Sequence, residues 1–156
     1  MAATPAIAAL EAAGIDFAIT EYEPDHEAGG HGEALVAATG LDPERAAKTL
    51  VALVDDRPVV AVVPVAGTLD LKALARAAGG KRATMADPDD AERWTGSVVG
   101  GIAPLGHRRR LPVYIEIALT DHDLVHVSGG RRGLEISLPA TDLVRVSRAV
   151  AAPIAR

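Results

Sequence analysis

Thr95-Gly96-Ser97-Val98-Val99-Gly100-Gly101-Ile102-Ala103-Pro104-Leu105-Gly106-His107-Arg108-Arg109-Arg110 is the stretch from which the rest of the chain is read. Four glycines and one proline lie between positions 96 and 106, so the segment is neither a helix nor a regular strand. Gly100-Gly101 presents backbone amides with no side chain over them, and Pro104 stiffens the loop. Amides on a stiff loop can hold an anion or a developing oxyanion. Arg108, Arg109 and Arg110 follow at once, as they would beside a phosphate chain. The same residues also read as a glycine-rich turn that ends in a solvated charge run.

Working outward, Asp87-Pro88 caps a helix over 89–94 whose acidic first turn suits the helix dipole. After the loop, 111–117 and 123–128 read as strands. Gly129-Gly130-Arg131-Arg132-Gly133 reads as a turn, 134–138 as a further strand, and 139–150 as a final amphipathic helix through Leu143, Val146 and Val150. Upstream, Thr4-Pro5 starts a helix that Gly14 stops. The alternation over 15–22 predicts a strand with Tyr22 near its end, where the phenol either packs or meets a ligand. Residues 23–32 form a polar loop and 32–39 a short helix, followed by a turn capped by Asp42-Pro43. The apolar runs 50–54 and 59–65 flank Asp55-Asp56-Arg57-Pro58, which is turn chemistry, so they form a hairpin whose second strand is central. Lys48 then stands at the mouth of a buried strand, either snorkelling at the surface or fixed at a site. Residues 71–78 are helical and 81–85 a short strand. Strands and helices do not alternate one to one, which predicts one α+β domain over 1–156: a curled, mixed, barrel-like sheet flanked by helices.

With 156 residues and 49% hydrophobic content the chain can bury a core, and with only 3% aromatics Ala, Val, Leu and Ile must fill it. The absence of cysteine excludes disulfides, thiolate metal sites and a cysteine nucleophile. A net charge of −5 argues against a general polyanion binder but permits a local basic face. The first residues lack a basic segment before the apolar run, no run reaches membrane-spanning length, and the cytoplasm is the expected compartment. His26 and His31 lie among Asp25, Glu27 and Glu33, but no pair of the five histidines has the spacing of a metal-binding motif, so no metal site is expected.

Several stretches together resemble one family. They are Thr4-Pro5-Ala6, Ala47-Lys48-Thr49-Leu50, residues 64–72, Met85-Ala86-Asp87-Pro88, the glycine loop 95–106, and Val127-Ser128-Gly129-Gly130-Arg131-Arg132-Gly133-Leu134. In order and spacing the chain is similar to the YbaK proteins, the Cys-tRNA(Pro) deacylases, free-standing relatives of the editing domain of bacterial prolyl-tRNA synthetases. The resemblance implies a trans-editing hydrolase that cleaves the ester between a wrong amino acid and the 3′ end of tRNA(Pro). It implies no cofactor, no metal and no protein nucleophile, the thiol of the misattached cysteine attacking its own ester carbonyl. Lys48 matches the family's essential lysine; with Gly100 and Gly101 it forms the expected catalytic set. Tyr22, His31, Thr49, Pro104, Ser128, Gly129, Gly130 and Glu135 are the expected substrate contacts, and Arg108, Arg109, Arg110, Arg131 and Arg132 the grip on the tRNA acceptor end. Prolyl-tRNA synthetase is the implied partner. His31 replaces an aromatic and Glu135 an aspartate of the family pattern. The alternatives are a deacylase for alanine or another small amino acid, and a non-catalytic module that binds tRNA or a synthetase.

Overall fold

In the computed structural model the described residues are 3–24 and 31–156. Thr4 and Pro5 open the first helix, α1 (Pro5–Ala12), with Ile7 N–H donating to Thr4 Oγ1 at 3.2 Å. A short strand β1 (Ala18–Glu21) follows, only part of the strand expected over 15–22. Helix α2 (His31–Thr39) leads through the Asp42 turn into β2 (Ala47–Val54) and β3 (Arg57–Pro64). Asp55 and Asp56 both have positive φ, 48° and 66°, the pattern of a two-residue hairpin turn. Strand β2 begins three residues earlier than the apolar run suggests. Lys48 and Thr49 are therefore ladder residues opposite Val63 and Val62, not residues at a strand mouth.

Asp70 caps α3 (Leu71–Ala77); β4 (Ala83–Met85) and α4 (Pro88–Thr95), capped by Asp87, follow. Beyond the glycine loop come β5 (Val113–Glu116), a 3₁₀ helix (Ile117–Asp121), β6 (Leu124–Ser128), β7 (Leu134–Pro139) and α5 (Ala140–Ser147). The last helix is shorter than the periodicity predicts. Arg148 takes the left-handed conformation, φ 57°, and ends it. Val150, expected on the helix's apolar face, instead lies in β8 (Val150–Ala152) and is 53% exposed.

The strands form two sheets, and neither closes into a barrel. One has the order β4-β2-β3-β5-β8, antiparallel at β4-β2-β3 and parallel at β3-β5-β8; the other is antiparallel in the order β1-β7-β6. A single parallel bridge, Ala46 to His126, lays the start of β2 beside β6, with His126 N–H on Arg45 O at 3.0 Å. The main core fills the space between the sheets under α1 and α5, with Val60, Val62, Ile115, Val127, Ile136 and Leu143 in it. A second core on the far face of the larger sheet holds Ala61, Val63, Leu74 and Ile154. Strand β3 is thus buried on both faces, as its unbroken apolar run requires.

Candidate active site

The bridge at Ala46 decides where chemistry can happen. It puts the second and third residues of β2, Lys48 and Thr49, across from the end of β6 and the start of β7, where Ser128 pairs with Glu135. Tyr22, just past β1, is tied there by its N–H on Gly133 O at 2.9 Å. His31 begins α2, and Gly100 closes the remaining side. These seven residues line one cavity of about 250 Å³, with Leu35, Val65 and Ile102 among its apolar walls.

Gly100 has φ +90°, and a Cβ there would lie 2.5 Å from the His31 ring, so only glycine fits. Its N–H has no hydrogen-bond partner among the described residues, whereas Gly101 N–H donates to Val98 O at 2.9 Å. The expected pair of free amides is therefore one amide. Gly101 is needed for a different reason, because a Cβ on it would fall 2.5 Å from the Arg132 backbone nitrogen. It lets the glycine loop pass against the 131–132 turn.

The loop is held at Val99. Glu92 on α4 accepts Val99 N–H at 2.8 Å, and Arg132 donates Nε and Nη2 to Val99 O at 2.8 and 2.6 Å. One peptide segment thus carries a carboxylate on one side and a guanidinium on the other, and charge-assisted bonds of this kind are the strong ones. Arg132, expected on the tRNA, is spent on this clamp. Glu92 is not among the residues expected from the sequence; it stands seven residues before Val99, and no local motif marks it.

The electrostatics follow from burial. Glu135 is 4% exposed and its Oε2 has no partner, and desolvation pushes its carboxyl up to about 8. At neutral pH it is mainly the uncharged acid. Burial and, secondarily, the neighbouring Glu135 raise the Tyr22 phenol, opposed by the Gly133 backbone hydrogen bond. Thr49 Oγ1 is also buried without a partner. Lys48 is half-buried, and no carboxylate among the described residues pairs with it.

The other expected contacts lie elsewhere. Gly129 O accepts from Thr4 Oγ1 and Gly130 N–H donates to Ser128 Oγ at 3.2 Å, so these glycines shape the turn rather than line the cavity. Pro104 lines a separate cavity. Arg131 reaches Glu21 at 3.5 Å. Arg108, Arg109 and Arg110 are exposed, and Arg109 stacks on Trp94 at 5.9 Å. His26 lies outside the described residues, and among those described no three His, Asp or Glu side chains group to hold a metal ion.

A model of the aminoacyl-tRNA editing domain matches residues 26–146, well over half of the chain. The chain belongs to that family. Within it, EbsC of Enterococcus faecalis, a protein named as a proposed Cys-tRNA(Pro)/Cys-tRNA(Cys) deacylase, is 37% identical over 107 residues. That alignment covers 68% of this editing-domain chain and 65% of the relative, just under two thirds of its length. The Escherichia coli protein named multifunctional Ser/Thr-tRNA deacylase ProXp-y is 29% identical over 147 residues, covering 91% of this chain and 86% of that one. The crystal structure of a proposed trans-editing enzyme for prolyl-tRNA synthetase superposes with a TM-score of 0.83 at 24% identity, over 100% of this chain and 99% of the other, which establishes the shared fold. The glycine loop, the β2 lysine and the 128–135 turn on which this editing domain's cavity depends all fall inside the matched segment.

Proposed function

We propose that this protein is a trans-editing aminoacyl-tRNA deacylase that removes cysteine from mischarged tRNA(Pro), acting as one domain over 1–156. The observation that carries this reading is the cavity itself. Lys48, the unpaired Gly100 amide and polar groups from β2, β6 and β7 converge on a space of about 250 Å³, below the roughly 300–1,000 Å³ of drug-sized ligand sites. It suits an aminoacyl group rather than a nucleotide. An aminoacyl ester is already activated, so positioning and charge stabilisation suffice. The substrate sulfur attacks the ester carbonyl and the C–O bond to the ribose breaks. The thiol proton ends on the ribose oxygen, leaving free tRNA and a thiolactone that water opens. Gly100 N–H stabilises the oxygen as charge develops, and Lys48 holds the carbonyl or the terminal phosphate. The exposed Arg108, Arg109 and Arg110 meet the acceptor end, and prolyl-tRNA synthetase supplies selectivity for tRNA(Pro). The cytoplasm is the site of action; no described helix is long and apolar enough to cross a membrane.

One observation favours a second amino-acid class. Thr49 Oγ1 and Glu135 Oε2 are buried without partners, and such groups are costly until a ligand satisfies them. A serine or threonine hydroxyl does so better than a thiol, and the Escherichia coli relative is named for those two amino acids. The test is a side-by-side rate comparison on tRNA(Pro) charged with Cys, Ser, Thr, Ala and Pro. Cysteine far ahead of serine supports thiol assistance. Equal rates remove it, serine or threonine ahead installs the hydroxyl reading, and no turnover on any of them leaves a binding module.

A further inference from the structure

The glycine loop has two sides. Val99, Gly100 and Ile102 face the small cavity, whereas Pro104, Leu105, Gly106 and His107 line a larger one of about 630 Å³ that shares no residue with it. That volume lies within the range of pockets that hold whole ligands. Its apolar wall comes from Leu105, Leu111 and Val113, all buried, and from Val146 on α5. Two guanidiniums stand at it, Arg110 and Arg148, and neither has a carboxylate partner among the described residues. The neighbouring Arg145, by contrast, is tied to Asp142 at 3.2 Å. Arg148 reaches this position because it ends α5 in the left-handed conformation. His107 contributes a directional group. Its Nε2 lies 2.6 Å from Ala103 O, and a carbonyl only accepts, so Nε2 carries the proton and Nδ1 remains an acceptor.

We propose that this larger cavity receives a nucleotide from the single-stranded 3′ end of the tRNA, upstream of the aminoacylated residue. The inference rests on the deacylase reading above and extends it. The small cavity has room for the amino acid only, so the nucleotides that carry it must be held outside. Ile102 and Pro104 are two residues apart, which places the two cavities' nearest loop residues within about 7 Å of each other. Two consecutive nucleotides of an extended strand span such a distance. An apolar slab with cations at its edge matches a base and its phosphate. An acceptor nitrogen beside the slab suits the exocyclic amino group of adenine or cytosine.

The test uses the full chain with labelled Leu and Val methyl groups, titrated with the trinucleotide CCA and separately with inorganic phosphate. CCA should saturably shift the Leu111, Val113 and Val146 methyls, and phosphate at equal concentration should not. Arg148→Gly keeps the left-handed turn while removing the guanidinium. It should weaken CCA binding about tenfold and raise KM for charged tRNA by a similar factor, with the loss falling on KM rather than kcat. Arg110→Glu should do the same. Phosphate alone reproducing the shifts reduces the cavity to an anion site and overturns the proposal, as do CCA shifts confined to the Lys48 cavity or absent altogether. If the wild type hydrolyses no charged tRNA, the deacylase reading falls, while the methyl titration still decides what this cavity holds.

Discussion

Lys48 contributes a charge to the cavity and no large apolar surface to either core. Lys48→Ala should therefore abolish deacylation while thermal unfolding stays within a few degrees of wild type; near-normal turnover in a folded variant would remove its role. Lys48→Arg should also be poor, since a planar guanidinium replaces a compact ammonium. Glu135 makes a pH prediction. Its folded value near 8 lies above its ordinary 4.5, so the native state keeps a proton that the unfolded chain has released. Stability from this group is full below pH 4.5 and is lost as pH rises through 8, with a slope of at most about 1.4 kcal/mol per pH unit. Glu135→Gln carries no such proton. Its melting temperature should gain on that of the wild type steadily across this window, and parallel curves would show that the carboxyl is already ionised. The family resemblance pointed to Lys48, Thr49, Ser128 and Gly100, and the structure lines all four along one cavity, whereas the residue types of the loop offered Gly100 and Gly101 as a pair of free amides. They misjudged Gly101, because a glycine that faces a ligand and one that lets two backbone segments pass leave the same letter in the sequence.

Among the elements, the clamp on Val99 couples α4 to the 131–132 turn across the glycine loop. Glu92→Gln and Arg132→Ala should each lower kcat by roughly 10–100-fold, since a displacement of about 1 Å at the reacting groups is worth that much. Both act on one residue, so the double variant should lose much less than the product of the single losses. Multiplicative losses in steady-state kinetics would mean two independent effects. In the β2-β3 hairpin, Asp56 at φ 66° occupies a position that glycine takes without strain. Asp56→Gly should raise stability by up to about 1 kcal/mol in denaturant unfolding. The elements that were legible announce themselves locally: Thr4-Pro5 and Asp87-Pro88 both cap helices, as their side chains dictate. Strand β8 was not, because three small or exposed residues become a strand only when the edge of β5 is there to pair with.

Over the whole molecule, the two cores separate stability from chemistry. Ile154 is fully buried on the far face of the larger sheet, and the Glu116 carboxylate docks its segment by accepting the N–H groups of Ile154 and Ala155 at 2.9 and 3.0 Å. Ile154→Ala should cost about 2–5 kcal/mol while leaving KM for charged tRNA unchanged in the folded protein. A KM shift would mean that the far core reaches the cavity. The α+β class was readable from the order of the elements. The split into two sheets was not, because it depends on the Ala46–His126 bridge between residues far apart in the chain.

The scarcity of aromatic side chains has a spectroscopic consequence. Trp94 is the only tryptophan in the chain, and the guanidiniums of Arg93 and Arg109 lie 5.8 and 5.9 Å from its ring. Excited at the red edge, where tyrosine does not absorb, intrinsic fluorescence therefore reports from a single point, at the root of the glycine loop and among the arginines proposed to meet tRNA. A phosphate that draws Arg109 off the indole alters the emission without any attached dye, so each binding isotherm can be read from the unmodified protein.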